Sequence, residues 1–83
     1  IDMELKDTIK MMGSSDYKER FRAEYWQVKI RFEKLESMIK KWENRELDFI
    51  PTCPKSIYCL QLNMMQDYIN LLEARAELEN IEL

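Results

Sequence analysis

The stretch FRAEYWQVKIRFEKLESMIKKW, residues 21–42, determines the architecture of this chain. Its apolar side chains recur at alternating steps of four and three residues, at Phe21, Tyr25, Val28, Phe32, Leu35, Ile39 and Trp42. This spacing places them on one stripe of an α-helix and favours packing against another helix at a shallow angle. Nothing between residues 16 and 45 breaks a helix. We therefore predict a single long helix over residues 16–45, about 45 Å in length at 1.5 Å per residue.

A second long helix is predicted over residues 54–79, after a hinge loop at residues 46–53. Pro51 keeps Ile50 out of helical geometry and therefore ends the preceding helix. The proline at position 54 suits the first turn of the next helix, where its missing N–H is harmless. Phe49 and Ile50 are apolar although they lie in a loop, so we expect them to cover the open end of a helical hairpin.

A short helix is predicted over residues 4–12, because apolar residues recur there at helical spacing and Gly13 ends the pattern. Such a short helix is unstable alone in water and must pack on the rest of the chain. A chain of 83 residues has room for one domain. The predicted fold class is all-α: a single domain, residues 1–83, built as a long antiparallel helical hairpin with a short N-terminal helix.

The helix predicted over residues 54–79 carries two adjacent apolar seams, whereas an antiparallel hairpin supplies one partner. The first seam is Ile57, Leu60, Met64, Tyr68, Leu71 and Leu78, with Arg75 inserted. The second seam is Tyr58, Leu62, Met65, Ile69, Leu72 and Ala76. We expect the short N-terminal helix to cover part of the seam left over, and a homo-oligomer to bury the remainder. The residues expected at this oligomer interface are either Leu62, Met65, Ile69 and Leu72, or Trp26 and Ile30.

A hairpin hinged near residue 50 pairs positions whose numbers sum to about 100. The expected neighbours are Trp42 with Ile57, Phe32 with Tyr68, and Tyr25 with Arg75. Two interpretations of Arg75 stay open. Its stem either lies along apolar surface with the guanidinium in water, or the whole side chain is buried, stacked on Tyr25 and paired with Glu24.

The net charge of −3 is unevenly distributed, with +4 over residues 17–45 and −5 over residues 46–83. This asymmetry fits charge complementarity within the hairpin or between copies. It also fits an anion site, because cations beside aromatic faces suit a nucleotide or another phosphorylated ligand. The candidate ligand-binding residues are Lys18, Arg22, Tyr25, Trp26, Lys29 and Arg75. Duplex nucleic acid is not an expected partner, since the whole chain is acidic and carries no recognition motif.

Trp26 and Ile30 lie off the apolar stripe of the first long helix. Three roles are open for them: burial beneath the short N-terminal helix, contact with another chain, or stacking of a ligand on the Trp26 ring.

The composition excludes several kinds of site. There is no His, so Ser-His-Asp and Cys-His nucleophiles and His-containing metal clusters are impossible. With one Gly, neither glycine-rich phosphate loop can exist. The two cysteines, Cys53 and Cys59, are expected as reduced, packed thiols. We expect no catalytic residue, enzymatic activity, metal or cofactor. No apolar run is long enough for a membrane helix, and we expect a cytoplasmic protein.

Four segments resemble a family of small helical phage proteins: MELKDT at 3–8, DYKERFRAEY at 16–25, LDFIPTCP at 47–54 and LLEARA at 71–76. This family is related to a crAss-like phage gene product from phages of gut bacteria, and the resemblance covers residues 3–83. It implies a phage protein that acts inside an infected bacterium. Small phage proteins of this size are often antagonists of host defence, and by analogy some are oligomeric sponges for nucleotide signals.

Two functions from different classes follow. The first is a non-enzymatic phage protein, an oligomeric sponge that sequesters an anionic nucleotide immune signal. The second is a coiled-coil module that binds a host or phage protein through the apolar seam that the hairpin leaves uncovered on its second long helix. A structural component of the virion is a third possibility.

Overall fold

The structure, a computed structural model, describes residues 3–83. A 3-10 turn at Leu5–Thr8 leads into the short helix α1, Ile9–Met12. The long helices are α2, Tyr17–Glu43, and α3, Lys55–Leu78. No strand occurs in the part of the chain that the structure describes, and the all-α fold class is confirmed. The molecule measures 43 × 24 × 20 Å, and its long dimension corresponds to the length of α2.

Both long helices end in the same hydrogen-bonded turn. Arg45 follows α2 with φ 59° and Asn80 follows α3 with φ 56°, so each residue adopts the left-handed conformation that reverses the chain. After α3, the N–H of Ile81 donates to the carbonyl of Ala76 at 2.8 Å. This turn directs the C-terminal tail, residues 79–83, back toward α2 and brings Ile81 into the core.

Helices α2 and α3 pack antiparallel. At one end the Tyr17 hydroxyl contacts Glu79, and near the hinge Lys55 Nζ lies 3.4 Å from a carboxylate oxygen of Glu43. The residue numbers in these two pairs sum to 96 and 98, near the predicted 100. The core lies at the end away from the hinge. Its buried members are Phe21, Tyr25, Ile69, Leu72, Ala76 and Ile81.

The structure corrects the choice of seam on α3. Ile69 and Leu72 are each 1% exposed beneath α2, so they belong to the monomer core and are not available for an interface between chains. Their half-buried companions Leu62 and Met65 lie on the same seam. Because this seam faces α2, Trp42 packs edge-on against Tyr58. The expected neighbour of Trp42, Ile57, is 48% exposed. The seam left uncovered is therefore the one that begins at Ile57.

The N-terminal segment is also placed differently from the expectation. The 3-10 turn and α1 pack on α2 and make no contact with α3, so they do not cover the seam of α3 that begins at Ile57. Of the two residues that lie off the apolar stripe of α2, Ile30 is 7% exposed and Trp26 is half-buried. The hinge loop does not cover the end of the hairpin, since Phe49 is 52% and Ile50 91% exposed.

Candidate functional site

The N-terminal segment is held against α2 by polar contacts. Thr8 of this segment is 1% exposed. The amide of Gln27 donates to the Thr8 hydroxyl at 3.1 Å and to the sulfur of Met12 at 2.7 Å. These contacts fix the position of the segment that carries Met11 beside α2.

The C-terminal tail is held by two basic residues of α2. Lys18 Nζ donates to the carbonyl of Asn80 at 3.1 Å, and Arg22 Nε donates to the carbonyl of Glu82 at 2.5 Å. Ile81 lies between these two contacts and is buried in the core. Two of the four cations that the sequence suggested for an anion site, Lys18 and Arg22, thus have a structural role: they hold the tail along α2.

The N-terminal segment and the tail leave between them a recess over the indole of Trp26. Its volume is about 430 Å³. We call it the Trp26 recess, and its walls are Met3, Met11, Arg22, Trp26, Glu82 and Leu83. The indole makes an edge-type contact with the ring of Tyr25, with the ring centroids 5.0 Å apart and the ring planes at 86°. An aromatic side chain, a guanidinium and apolar side chains are therefore combined in one concave surface.

The six predicted ligand residues are not all brought together. Arg22 and Trp26 line the Trp26 recess, whereas Lys18 and Lys29 lie on the same side of α2 but do not line it. Tyr25 is buried in the core, and its hydroxyl donates to Glu73 at 2.7 Å. Burial, reinforced by this bond, raises the pKa of Tyr25. Tyr25 thus belongs to the core and contacts the indole without lining the recess.

Arg75 lies away from the recess, in a polar cluster at the open end of the hairpin. Its guanidinium lies 4.9 Å from the ring centroid of Phe21, and its Nε donates to Glu79 at 2.9 Å. Of the two interpretations of Arg75, the buried side chain stacked on Tyr25 and paired with Glu24 is therefore wrong. The Tyr17 hydroxyl accepts from Arg75 at 2.6 Å and donates to Glu79 at 2.7 Å.

Hydrogen bonding sets the pKa shifts within this cluster. The bonds from Tyr17 and Arg75 lower the pKa of Glu79, and the bond to Glu79 raises the pKa of Tyr17. At the middle of the hairpin, the hydroxyl of Tyr68 donates to Glu24, and this bond raises the pKa of Tyr68. These contacts join α2 to α3, so they are structural.

Sequence reasoning missed four of the six residues that line the recess, because Met3, Met11 and the tail residues Glu82 and Leu83 belong to segments outside the hairpin. One pattern could have placed the tail. An Asn followed by an apolar residue, as in Asn80–Ile81, is typical of a helix end that folds an apolar side chain back onto the helix.

Other parts of the molecule fit an anionic ligand less well. A larger groove of about 790 Å³ lies between α2 and the hinge loop, but three of the five charged side chains that line it are acidic. Cys53 and Cys59 are unbridged and half-buried. Within residues 3–83 no group of three or more Cys, Asp or Glu side chains is arranged to hold a metal ion. Over the same residues, no helix combines the length and apolar character needed to cross a membrane.

Comparison with protein-family models gives a match over most of the chain. The family model described as Sequestin matches residues 15–78, which include all of α2 and α3. Neither a curated protein nor a solved structure matches the chain. Since the family model covers more than half of the sequence, the chain belongs to the Sequestin family.

Proposed function

We propose that this chain is a non-enzymatic phage protein that sequesters an anionic, nucleotide-like immune signal inside the infected bacterium. The name of its family denotes sequestration, which supports a role in holding a partner rather than converting it. The observation that carries the choice of ligand is the pairing of Arg22 and Trp26 in one recess of about 430 Å³. A sponge of this kind acts stoichiometrically, by lowering the free concentration of the signal.

The chemistry of the recess suits both halves of a nucleotide. A guanidinium binds phosphate through two parallel N–H donors, and a stacked base on an aromatic ring contributes roughly 1–3 kcal/mol. Lys18 and Lys29 lie on the same side of α2 and raise the local positive potential. The acidic Glu82 opposes this, because it lies on the facing wall and its carbonyl already accepts from Arg22. We therefore expect ligand binding to shift the C-terminal tail.

Calorimetric titration tests the proposal. The pure protein is titrated with a panel of linear and cyclic nucleotides, with adenosine and inorganic phosphate as controls for each half of the ligand. We expect a nucleotide to bind more tightly than either half. A ligand present at a hundred times its Kd should also stabilise the fold by about 2.7 kcal/mol. The recovered nucleotide should be chemically intact, and a converted product would contradict a non-enzymatic role.

Variants separate ligand binding from support of the tail. Arg22→Gln removes the guanidinium from the recess and should weaken binding at least about tenfold, since a charged hydrogen bond contributes roughly 1.5–3 kcal/mol. Lys18→Gln is the control for the tail, because it also loses a tail contact but does not line the recess. Arg31→Gln is the control for charge on α2. Equal losses in all three variants would show a non-specific effect of charge.

The second candidate function is a coiled-coil module that binds a host or phage protein. The uncovered seam of α3 favours it, because an amphipathic helix face fits a groove or helix of another protein. An adaptor of this kind would bind none of the nucleotides in the titration and would retain one protein reproducibly from a bacterial lysate.

A further inference from the structure

The outer seam of α3 is exposed, apolar and almost free of charge. Its central residues and their exposed fractions are Ile57 48%, Leu60 55%, Met64 71%, Tyr68 40% and Leu71 60%. Charged residues make up 35% of the chain, yet Asp67 is the single charged residue between positions 56 and 72. A face of this kind on a small domain needs a protein partner, and an anionic ligand has nothing to bind there.

We propose that a second copy of this chain covers the outer seam, with the two α3 helices antiparallel about a twofold axis through Met64. The five exposed residues are separated by steps of 3, 4, 4 and 3, which read the same in both directions. A twofold interface requires this property, because the same surface serves both copies. Met64 then meets Met64 of the copy, Leu60 meets Tyr68, and Ile57 meets Leu71.

Charge and the ends of the seam favour the same pairing. In this register Asp67 lies opposite the uncharged Gln61 of the second copy, so the pairing brings no like charges together. It also places Leu78 at the hinge-loop end of the copy. Leu78 is 82% exposed and Ile50 of the hinge loop is 91% exposed, so two exposed apolar residues lie at the same end of the interface.

This inference does not depend on the proposed ligand, because the outer seam and the Trp26 recess share no residue. Failure of either proposal leaves the other intact: the first is measured by the mass of the assembly and the second by nucleotide binding.

Sedimentation analysis of the whole chain tests the interface. The wild type should form an even-numbered assembly of its 10.2 kDa chain at micromolar concentration. Met64→Glu should halve the mass of this assembly, since it places two carboxylates together on the axis. The protein should stay helical by circular dichroism, because Met64 is exposed in the monomer. Gln66→Glu is the matched control, since it adds the same charge to an exposed position two residues away, off the seam. A monomeric wild type, or an unchanged mass for Met64→Glu, would overturn the proposal.

Cross-linking tests the direction of the helices. In a Cys53→Ser, Cys59→Ser background, Met64→Cys should form a disulfide-linked dimer on mild oxidation, because it meets itself on the axis. Leu71→Cys should not cross-link alone but should do so when Ile57→Cys is also present. Self-linking at both 64 and 71 would indicate parallel helices and contradict the antiparallel pairing. A dependence of cross-linking on a different protein in the lysate would assign the seam to that protein.

Discussion

Leu71 and Leu72 are neighbours in α3, but their surroundings are opposite: Leu71 is 60% exposed and Leu72 is 1% exposed. The inner face of α3 lies against α2 and builds the core, whereas the outer face carries apolar residues that nothing in the monomer covers. The hydrophobic effect acts on both faces alike. A monomer that buries only one of them therefore leaves an apolar surface suited to association. The apolar content of α3 therefore exceeds what folding of the monomer uses.

The largest effect is expected from Leu72→Ala. This change leaves a cavity in the core and should destabilise the fold by about 2–5 kcal/mol. Leu71→Ala makes the same chemical change one position away and should cost the isolated monomer less than about 0.5 kcal/mol. Urea denaturation at low protein concentration measures both changes. Similar losses from the two variants would show that the faces are not distinguished in solution.

A smaller loss is expected from Ile81→Ala, because the tail covers the edge of the core. Ile81 is 6% exposed, and its truncation should destabilise the fold by about 2 kcal/mol. Leu78→Ala is the control at the same end of α3, where the side chain is 82% exposed. If the urea midpoint of Ile81→Ala equals that of Leu78→Ala, the tail does not close the core.

Alkaline pH should destabilise the fold, because it favours ionisation of the buried hydroxyl of Tyr25. Its folded-state pKa is raised above the ordinary value of 10.0, chiefly by burial, so the neutral hydroxyl is favoured in the folded protein. The contribution of Tyr25 is therefore complete below pH 10 and is lost as the pH rises further. Urea midpoints at pH 8 and pH 11 should differ less in Tyr25→Phe than in the wild type. Tyr58→Phe controls for loss of a hydroxyl at the hinge end, and an equal effect there would contradict a role specific to Tyr25.

The smallest effect is expected from the exposed cluster around Glu79. Its folded-state pKa is lowered, chiefly by the bonds from Tyr17 and Arg75, so its stabilisation is present above its ordinary value of 4.5. This stabilisation is lost as the pH falls through the lowered pKa. Glu79→Gln should therefore make the thermal midpoint less dependent on pH in the acid range. Glu77→Gln serves as the charge-matched control. Identical acid profiles for the two variants would show that the Glu79 cluster does not contribute to stability.

The α2 stripe was predictable because seven apolar positions in one heptad pattern admit a single helical face. The choice between the two seams of α3 was harder, because both are apolar and periodicity alone does not distinguish them. Arg75 interrupts the outer seam, whereas the inner seam has no charge, and this difference is the signal that could have decided the matter. The partners of Lys18 and Arg22 were not predictable, because backbone carbonyls of a distant tail leave no pattern in the sequence.

We propose that one chain combines a folded inner face, an outer face for a second copy, and a recess for an anionic ligand. Native mass spectrometry of the protein purified gently from bacteria that produce the ligand reads stoichiometry and bound mass together. We expect an even multiple of the 10.2 kDa chain with additional mass that matches a nucleotide. A monomer without additional mass would overturn both the interface and the ligand site.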